Sequence, residues 1–215
     1  MCSIIFTNKN IDNLDDVNYY QKFRGPDKTS VVKDTENGFS YVHNLLSITG
    51  EFREQPFVKD DVLCIFNGEI YNYKQYGDYQ SDGDCILDLY FEYGDNFTSK
   101  LDGEFAILLV DYNKNKMIVS TDVFATKPLW ISFDGGIGVA SYHSALSRLG
   151  FYDIKKVKAN TTEVYSLEKV KLVKRNSVFD FDLNQHIDSY DRWIESFKDS
   201  IRKRSDGVRE KIFIG

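Results

Sequence analysis

The chain begins Met1-Cys2-Ser3, so removal of the initiator methionine would leave Cys2 as an N-terminal residue that carries both a thiol and an α-amine. The α-amine of a peptide has a pKa of about 8, and a cysteine thiol has a pKa of about 8.5. Such an amine can take the thiol proton, directly or through one water, and the thiolate is the nucleophilic form. Small second residues permit removal of methionine. The N-terminus therefore predicts an acyl-transfer nucleophile with its own base, although most cysteines only pack, so support is needed from elsewhere in the chain.

Composition limits the classes of protein that this chain can belong to. With 215 residues, of which 42% are hydrophobic, it can bury one substantial core or form a domain with an appendage. A net charge of −6 argues against nucleic acid as a partner. The sequence has no signal segment and no apolar run near the ~20 residues that a membrane span needs. Three cysteines without a CxxC pair predict no metal site and a reducing, cytoplasmic location.

Hydrophobic patterning predicts many strands and few helices, and an aromatic content of 15% favours strands as well. Turn residues follow several of the apolar runs, and Asn67-Gly68 is expected to end one of them. The predicted strands are 3–6, 39–48, 62–66, 104–111, 117–121, 129–133, 137–140, 163–167 and 170–173. The predicted helices are 12–23, 84–93 and 142–149.

The C-terminal region has a different pattern. Over residues 184–205, apolar residues at alternating spacings of three and four predict a helix with one apolar stripe. Residues 211–215 then read as the start of a strand. This ending predicts that the chain is the front domain of something longer.

Acyl transfer to a thiolate passes through a tetrahedral oxyanion, which needs fixed hydrogen-bond donors. Asn67 offers a side-chain NH₂ group, and Gly68, which has no Cβ, lets its backbone N–H approach a ligand closely. The pair is a candidate oxyanion hole at the end of a strand. An isolated Asn-Gly would more often be only a turn, but here Glu69 follows at once and Cys2 is present.

Short motifs occur along the chain in a characteristic order. They are Met1-Cys2-Ser3-Ile4, Arg24-Gly25-Pro26-Asp27, Leu46-Ser47-Ile48, Gln55-Pro56, Asn67-Gly68-Glu69-Ile70-Tyr71-Asn72, Ser81-Asp82, Leu101-Asp102-Gly103-Glu104-Phe105-Ala106 and Lys127-Pro128-Leu129. Their order and spacing resemble the N-terminal glutaminase domain of the asparagine synthetase family, over about residues 1–185. Those domains are class II glutamine amidotransferases with an N-terminal cysteine nucleophile.

The resemblance implies an α+β fold, the four-layer αββα sandwich of two antiparallel sheets known as the N-terminal-nucleophile hydrolase fold. It implies a glutaminase domain over residues 1–185, with 186–215 as the helix and strand that would begin an ATP-dependent synthetase domain. The implied reaction is hydrolysis of L-glutamine to glutamate and ammonia, with the ammonia passed to that synthetase domain in the same chain or a separate one. No cofactor is expected in this segment, and ATP and Mg are expected only in the synthetase domain. A homodimer is left open.

The resemblance also implies roles for individual residues. Glu69 and Asp82 match the family's acceptors for the α-ammonium of glutamine, although Asp82 could equally be the N-cap of the following helix. Ser47 and Ile48 are expected to contact the substrate. The Arg24-Gly25-Pro26-Asp27 block is expected to be mainly architectural, because Pro26 fixes φ and Asp27 can bond locally.

One position departs from the family pattern. Leu45 stands where the family has an arginine that pairs with the carboxylate of glutamine, a charge-assisted bond of roughly 1.5–3 kcal/mol. Another cation could replace it, with Arg53 as the nearest candidate, or the substrate could lack a carboxylate there, or the domain could hydrolyse glutamine poorly. The alternative functions are therefore an inactive interaction or regulatory module and an N-terminal-nucleophile amidase for a different amide.

Overall fold

The computed structural model describes residues 1–48, 50–182, 184–185 and 189–205. The strands within them are β1 Ser3–Thr7, β2 Lys28–Asp34, β3 Phe39–Leu45, β4 Phe57–Lys59, β5 Val62–Ile70, β6 Gly103–Asp111, β7 Lys116–Thr121, β8 Trp130–Ser132, β9 Gly138–Ala140, β10 Lys155–Lys156, β11 Thr161–Ser166 and β12 Lys171–Ser177. The α-helices are α1 Leu14–Val17, α2 Cys85–Tyr93, α3 His143–Arg148 and α4 Asp191–Ser205. Short 3₁₀ segments span Gln21–Arg24, Tyr73–Gln75, Asp82–Asp84 and Gly94–Lys100.

The strands form two antiparallel sheets. One has the order β10-β8-β9-β1-β3-β2 and the other has the order β12-β11-β7-β6-β5-β4. The N-terminal strand β1 is therefore central in its sheet, where it pairs with β3 on one side and β9 on the other. A residue just before β1 consequently starts from a rigid, fully paired element.

Three separate hydrophobic clusters divide the molecule into four layers, and the alternation of side chains along each strand assigns them. Ile4 and Phe6 of β1 meet Ile65 of β5 in the core between the sheets. On the other face of β5, Cys64 and Phe66 pack with α2. The outer face of the first sheet packs with α1 and α3. This arrangement confirms the predicted four-layer sandwich.

The predicted end of a strand at Asn67-Gly68 is wrong, because β5 continues through both residues to Ile70. The strand continues because β6 pairs with it along its whole length, from Val62 opposite Asp111 to Ile70 opposite Gly103. The candidate oxyanion donors therefore lie inside a paired strand and not in a turn.

The predicted helix over residues 12–23 is also only partly correct. The helix ends at Val17, and Asn18 is its C-cap. The Asn18 side chain is buried and exchanges two hydrogen bonds with the side chain of Asn44, so a contact with the sheet fixes the chain where the local pattern would continue the helix. Strands β2, β4 and β10 were not predicted.

Helix α4 begins at Asp191, later than the apolar pattern predicts, and its stripe is exposed. Trp193 and Phe197 are more than half exposed, and Ile194 and Ile201 are about 40–45% exposed. The predicted strand 211–215 lies outside the described residues. None of the described helices has both the length and the apolar character that crossing a bilayer would require.

Candidate active site

The Cys2 side chain is held at the junction of β1 and β3. Ser3 pairs with Asn44, which brings Cys2 beside the end of β3. The backbone N–H of Leu46 donates to Sγ at 3.3 Å, and Sγ lies 3.7 Å from the carbonyl oxygen of Leu46. Burial raises the pKa of the Cys2 thiol, whereas the Leu46 N–H bond and the N-terminal charge oppose that rise. The sulfur is thus buried, fixed and dependent on a nearby base for its ionisation.

Cationic side chains lie around the N-terminus. The Arg24 guanidinium lies 3.5 Å and the Lys127 ammonium 3.3 Å from Sδ of Met1. Burial lowers the pKa of the Met1 amine, and the charges of Arg24 and Lys127 lower it further. An amine in this region is therefore held toward its neutral form, which is the form that accepts a proton.

The second half of β5 is an edge of its sheet. Strand β4 pairs only with Val62–Cys64, so nothing of β4 faces residues 66–70. On the opposite side, Phe105 of β6 faces Gly68, but the N–H and C=O of Phe105 both bond to Asp122. Because the backbone groups of Phe105 point toward Asp122, Gly68 and Phe105 form a pair without hydrogen bonds between them. The N–H and C=O of Gly68 therefore point to the open edge of the sheet.

The backbone N–H groups along this edge have contrasting partners. The N–H of Phe66 donates to Oε1 of Gln55 at 2.7 Å, and the N–H of Ile70 donates to Oδ2 of Asp82 at 2.8 Å. Between them, the N–H of Gly68 meets no acceptor among the described side chains. A donor left open between two satisfied ones is suited to an anionic group of a ligand.

Asn67 contributes a second open donor. Its side chain is fully buried, and neither Nδ2 nor Oδ1 has a hydrogen-bond partner among the described residues. By alternation, Asn67 shares the face of Ile65, and Cys2 shares the face of Ile4, so both side chains point into the space between the sheets. Because an unsatisfied buried amide is costly, Asn67 is a candidate for a group that hydrogen-bonds to a ligand.

Glu69 and Asp82 form the acidic part of the site. Asp82 is buried, and burial together with the charge of Glu69 raises its pKa to about 7. The alternative in which Asp82 is an N-cap is wrong, because the cap is Ser81, whose capping box is completed by Asp84. Asp82 therefore does not cap that helix, and it lines the pocket together with Glu69.

One pocket joins residues from four chain segments. It is lined by Cys2, Leu45, Leu46, Ser47, Ile48, Glu51, Arg53, Gln55, Phe57, Phe66, Gly68, Glu69, Ser81 and Asp82. The structure therefore brings together six of the seven predicted site residues, and Asn67 lies directly between two lining residues without lining the pocket itself. Both Leu45 and the cationic candidate Arg53 line it.

The Arg24-Gly25-Pro26-Asp27 block supports the pocket from behind. The Asp27 N–H donates to the Leu45 carbonyl at 3.0 Å, and Asp27 Oδ2 accepts from the Ser47 N–H at 2.8 Å. A Cβ on Gly25 would lie 2.1 Å from the carbonyl oxygen of Asn44, so glycine is required there. The predicted architectural role of this block is confirmed, although Asp27 acts on a segment 20 residues away and not locally.

Sequence reasoning missed Glu51, which lines the pocket, and the supporting roles of Gln80 and Asp84. The spacing Ser81-x-x-Asp84 is a capping-box signature and could have identified Asp84. Nothing in the local pattern marks Glu51 or Gln80, because their roles come from a loop that folds back on the turn around Ser81.

The other two cysteines lie away from the pocket lining. Cys64 is fully buried, and burial raises the pKa of its thiol. Cys85 begins α2, where a helix dipole could lower a thiol pKa, but burial instead raises it to about 12. The Cys85 thiol donates to the Asp82 carbonyl at 3.1 Å, and neither thiol lines the pocket, which leaves Cys2 as the cysteine that does.

Known proteins share this sequence and this fold. A Methanocaldococcus jannaschii protein whose name places it among the glutamine-hydrolyzing asparagine synthetases is 31% identical over 196 residues, which are 86% of this chain and 34% of that protein. The asparagine synthetase (glutamine-hydrolyzing) of Brassica oleracea is 34% identical over 134 residues, 56% of this chain and 22% of that protein. The chain thus spans about a third or less of the length of these two relatives.

A solved structure, the glutamine phosphoribosylpyrophosphate amidotransferase of B. subtilis, matches with a TM-score of 0.59 at 18% identity, over 86% of this chain and 50% of that one. At this identity the likeness is one of fold, and it agrees with the predicted N-terminal-nucleophile hydrolase fold. The family model for the glutamine amidotransferase domain matches residues 1–182. The predicted boundary at residue 185 stays a prediction. With most of its length matched by that model, the chain belongs to the glutamine amidotransferase domain family.

Proposed function

We propose that the chain, once Met1 is removed, hydrolyses L-glutamine to glutamate and ammonia with Cys2 as its nucleophile. The observation that carries this proposal is the open edge of β5, where the N–H of Gly68 and the unpaired amide of Asn67 adjoin the pocket that holds the Cys2 thiol. Two unused donors beside one nucleophile are the arrangement that an oxyanion intermediate requires.

The reaction follows from the positions of these groups. The Cys2 α-amine takes the thiol proton, and Sγ attacks the side-chain carbonyl carbon of glutamine. Asn67 Nδ2 and the Gly68 N–H stabilise the oxyanion. The C–N bond then breaks as the amine returns the proton to the leaving nitrogen, which departs as ammonia and leaves a thioester on Cys2. Water, deprotonated by the same amine, cleaves the thioester and releases glutamate and the free thiol.

The acidic pair supplies recognition of the substrate's α-ammonium. Glu69 and Asp82 line the same pocket as Cys2, and Asp82, whose pKa is raised to about 7, gains from a cation placed beside it. An α-ammonium between the two carboxylates would favour the ionised form of Asp82. The proposed substrate is thus a molecule with a primary amide and a free ammonium group, as L-glutamine is.

The ammonia is proposed to serve an ATP-dependent synthetase domain, with ATP and Mg bound by that partner and not by this segment. The names of the relatives support this part, as does the exposed apolar stripe of α4, which is suited to a covering domain. The free cysteines support a cytoplasmic location. A homodimer stays a prediction.

Glutamate release from L-glutamine is the test, with loss of Met1 verified by intact mass. We expect Cys2→Ala to reduce release to the uncatalysed background, and Cys64→Ala to retain it because Cys64 lies outside the pocket lining. A glutamine-like diazoketone should add to Cys2 in the wild-type chain and not in Cys2→Ala.

Each alternative function predicts a different outcome of this test. A chain that lacks Met1, releases no glutamate and is not labelled would fit the non-catalytic module, which the apolar Leu45 at the pocket favours. Release of ammonia from other primary amides but not from glutamine would fit an amidase of different specificity.

A further inference from the structure

We propose that Arg53 binds the α-carboxylate of L-glutamine and so determines that the site takes a free amino acid. This inference rests on the proposed function, since it names a further contact of the same substrate. Arg53 belongs to the loop between β3 and β4, and it is one of the residues that line the pocket containing Cys2, Glu69 and Asp82.

The charge of the pocket requires a cation for such a substrate. Among the described residues, its lining has three carboxylates, on Glu51, Glu69 and Asp82, and a single cationic side chain, that of Arg53. Glu69 and Asp82 suit an ammonium group, but they repel a carboxylate carried by the same ligand. Among the residues that line the pocket, Arg53 is the one that can compensate the carboxylate of a zwitterion.

No neighbouring position on β3 can provide this charge. Leu45 is buried and lines the pocket with an apolar side chain, and the next lining residues, Leu46, Ser47 and Ile48, are uncharged. The compensation must therefore come from the loop that follows, where Arg53 lies.

Arg53 is held in place before any ligand binds. Its Nε donates to Asp84 Oδ1 at 3.1 Å, and its Nη1 lies 3.4 Å from Oε1 of Gln80. The Glu51 N–H also donates to the Gln80 carbonyl at 2.8 Å. Backbone and side-chain bonds therefore both hold the loop that contains Arg53 against the turn that contains Gln80 and Asp84. These bonds use two of the five guanidinium N–H donors and leave three for a carboxylate.

The same turn positions both recognition groups. Asp84 completes the capping box on Ser81, and Asp82 lies between them. The group that would receive the carboxylate is thus tied, through Asp84, to one of the groups that would receive the ammonium. Such a rigid link favours ligands with an ammonium and a carboxylate on one carbon.

The test is calorimetric binding to the catalytically dead Cys2→Ala chain, with L-glutamine and with 4-aminobutanamide, the same amide without its α-carboxylate. Adding Arg53→Gln should weaken binding of L-glutamine by about tenfold to a hundredfold and leave binding of 4-aminobutanamide unchanged. Arg53→Lys should fall between, because an ammonium cannot bind a carboxylate in bidentate fashion. Arg202→Gln, which removes an exposed arginine of α4, should change neither affinity.

The two ligands separate a contact with substrate from a merely structural effect. Equal weakening for both ligands would show that Arg53 only supports the turn at Ser81–Asp84, and an unchanged affinity for L-glutamine would show that it binds nothing. Either result overturns the proposal. Because binding is measured without turnover, a wild-type chain that fails to release glutamate would refute the proposed hydrolysis and leave the test of Arg53 readable.

Discussion

Two buried asparagines show how a polar residue can serve either the fold or the chemistry. The Asn44 side chain donates to Ser3 Oγ at 2.9 Å and to Asn18 Oδ1 at 2.8 Å, and it accepts from Asn18 and Thr29. The Asn67 side chain is equally buried, but it has no partner among the described residues. Asn44 therefore contributes to stability, whereas Asn67 has a polar group that the fold does not use.

Replacement of each asparagine by leucine, which has a similar shape, should separate the two roles. We expect Asn67→Leu to change the free energy of unfolding by no more than about 1 kcal/mol, while kcat for glutamine hydrolysis falls about a hundredfold to a thousandfold. Asn44→Leu should lower the free energy of unfolding by about 3 kcal/mol, since it leaves several buried groups unpaired. Urea titration and glutamate release measure these quantities.

Two results would contradict the proposed oxyanion role of Asn67. If Asn67→Leu unfolds as readily as Asn44→Leu, or hydrolyses glutamine at the wild-type rate, Asn67 is a structural residue and the proposed oxyanion site is wrong.

The sequence predicts residue identities at the site better than their surroundings. The motifs around Cys2, Asn67 and Asp82 select residues that the structure gathers at one pocket. The contact of Sγ with Leu46 and the raised pKa of Asp82 depend on burial, which arises only when distant segments pack. Those properties therefore could not be read from motif spacing.

At the scale of elements, the close pairing of β5 and β6 explains why the residue after Asn67 is a glycine. A Cβ on Gly68 would lie 2.1 Å from the carbonyl oxygen of Glu104 and 2.8 Å from Cα of Phe105. The sequence predicts that Gly68 permits close approach of a ligand, and in the structure the neighbouring strand also approaches it closely. Both constraints act on one residue, so the proposed donor is fixed by the sheet itself.

Gly68→Ala should therefore damage both stability and catalysis. We expect a loss of about 3 kcal/mol in the free energy of unfolding, because backbone atoms of β6 must move, and loss of glutamate release because the Gly68 N–H moves with them. Gly38→Ala is the control, since its Cβ would meet nothing within 4 Å and only its φ of +74° is unfavourable, at about 1 kcal/mol. Equal effects of the two substitutions would show that β5 and β6 yield easily and that the glycine is not required by packing.

Prediction of strands succeeds where burial produces an apolar pattern in the sequence and fails where it does not. Strands β5 and β6 bury alternate residues in two clusters, which produces long apolar runs in the sequence. Strand β2 lies at the edge of its sheet and is exposed on most of its residues, so Lys28–Asp34 has no periodic apolar signal. Its place is fixed by its pairing with β3, which is a long-range property.

At the scale of the whole molecule, the three hydrophobic clusters account for the two sheets, α1, α2 and α3, whereas α4 stands apart from them. The described contacts of α4 with the sandwich are polar: Lys203 pairs with Asp102, and Arg204 lies near Glu104 and over the ring of Tyr71. Exposed ion pairs of this kind contribute little to stability. The apolar stripe of α4 is therefore not part of the core that holds the sandwich together.

Substitution of one phenylalanine in the core and one on α4 tests whether α4 belongs to the folded core. Phe97 is fully buried beneath α2, while Phe197 on α4 is 53% exposed. We expect Phe97→Ala to lower the free energy of unfolding by about 3–5 kcal/mol and Phe197→Ala to change it by no more than about 0.5 kcal/mol, both measured by urea titration of this chain. A loss above about 1.5 kcal/mol for Phe197→Ala would place α4 in the folded core and remove the argument that its stripe is kept for a covering domain. The expected result, joined to unchanged glutamate release in Phe197→Ala, would assign hydrolysis to the sandwich and leave the apolar stripe of α4 available to the proposed synthetase partner.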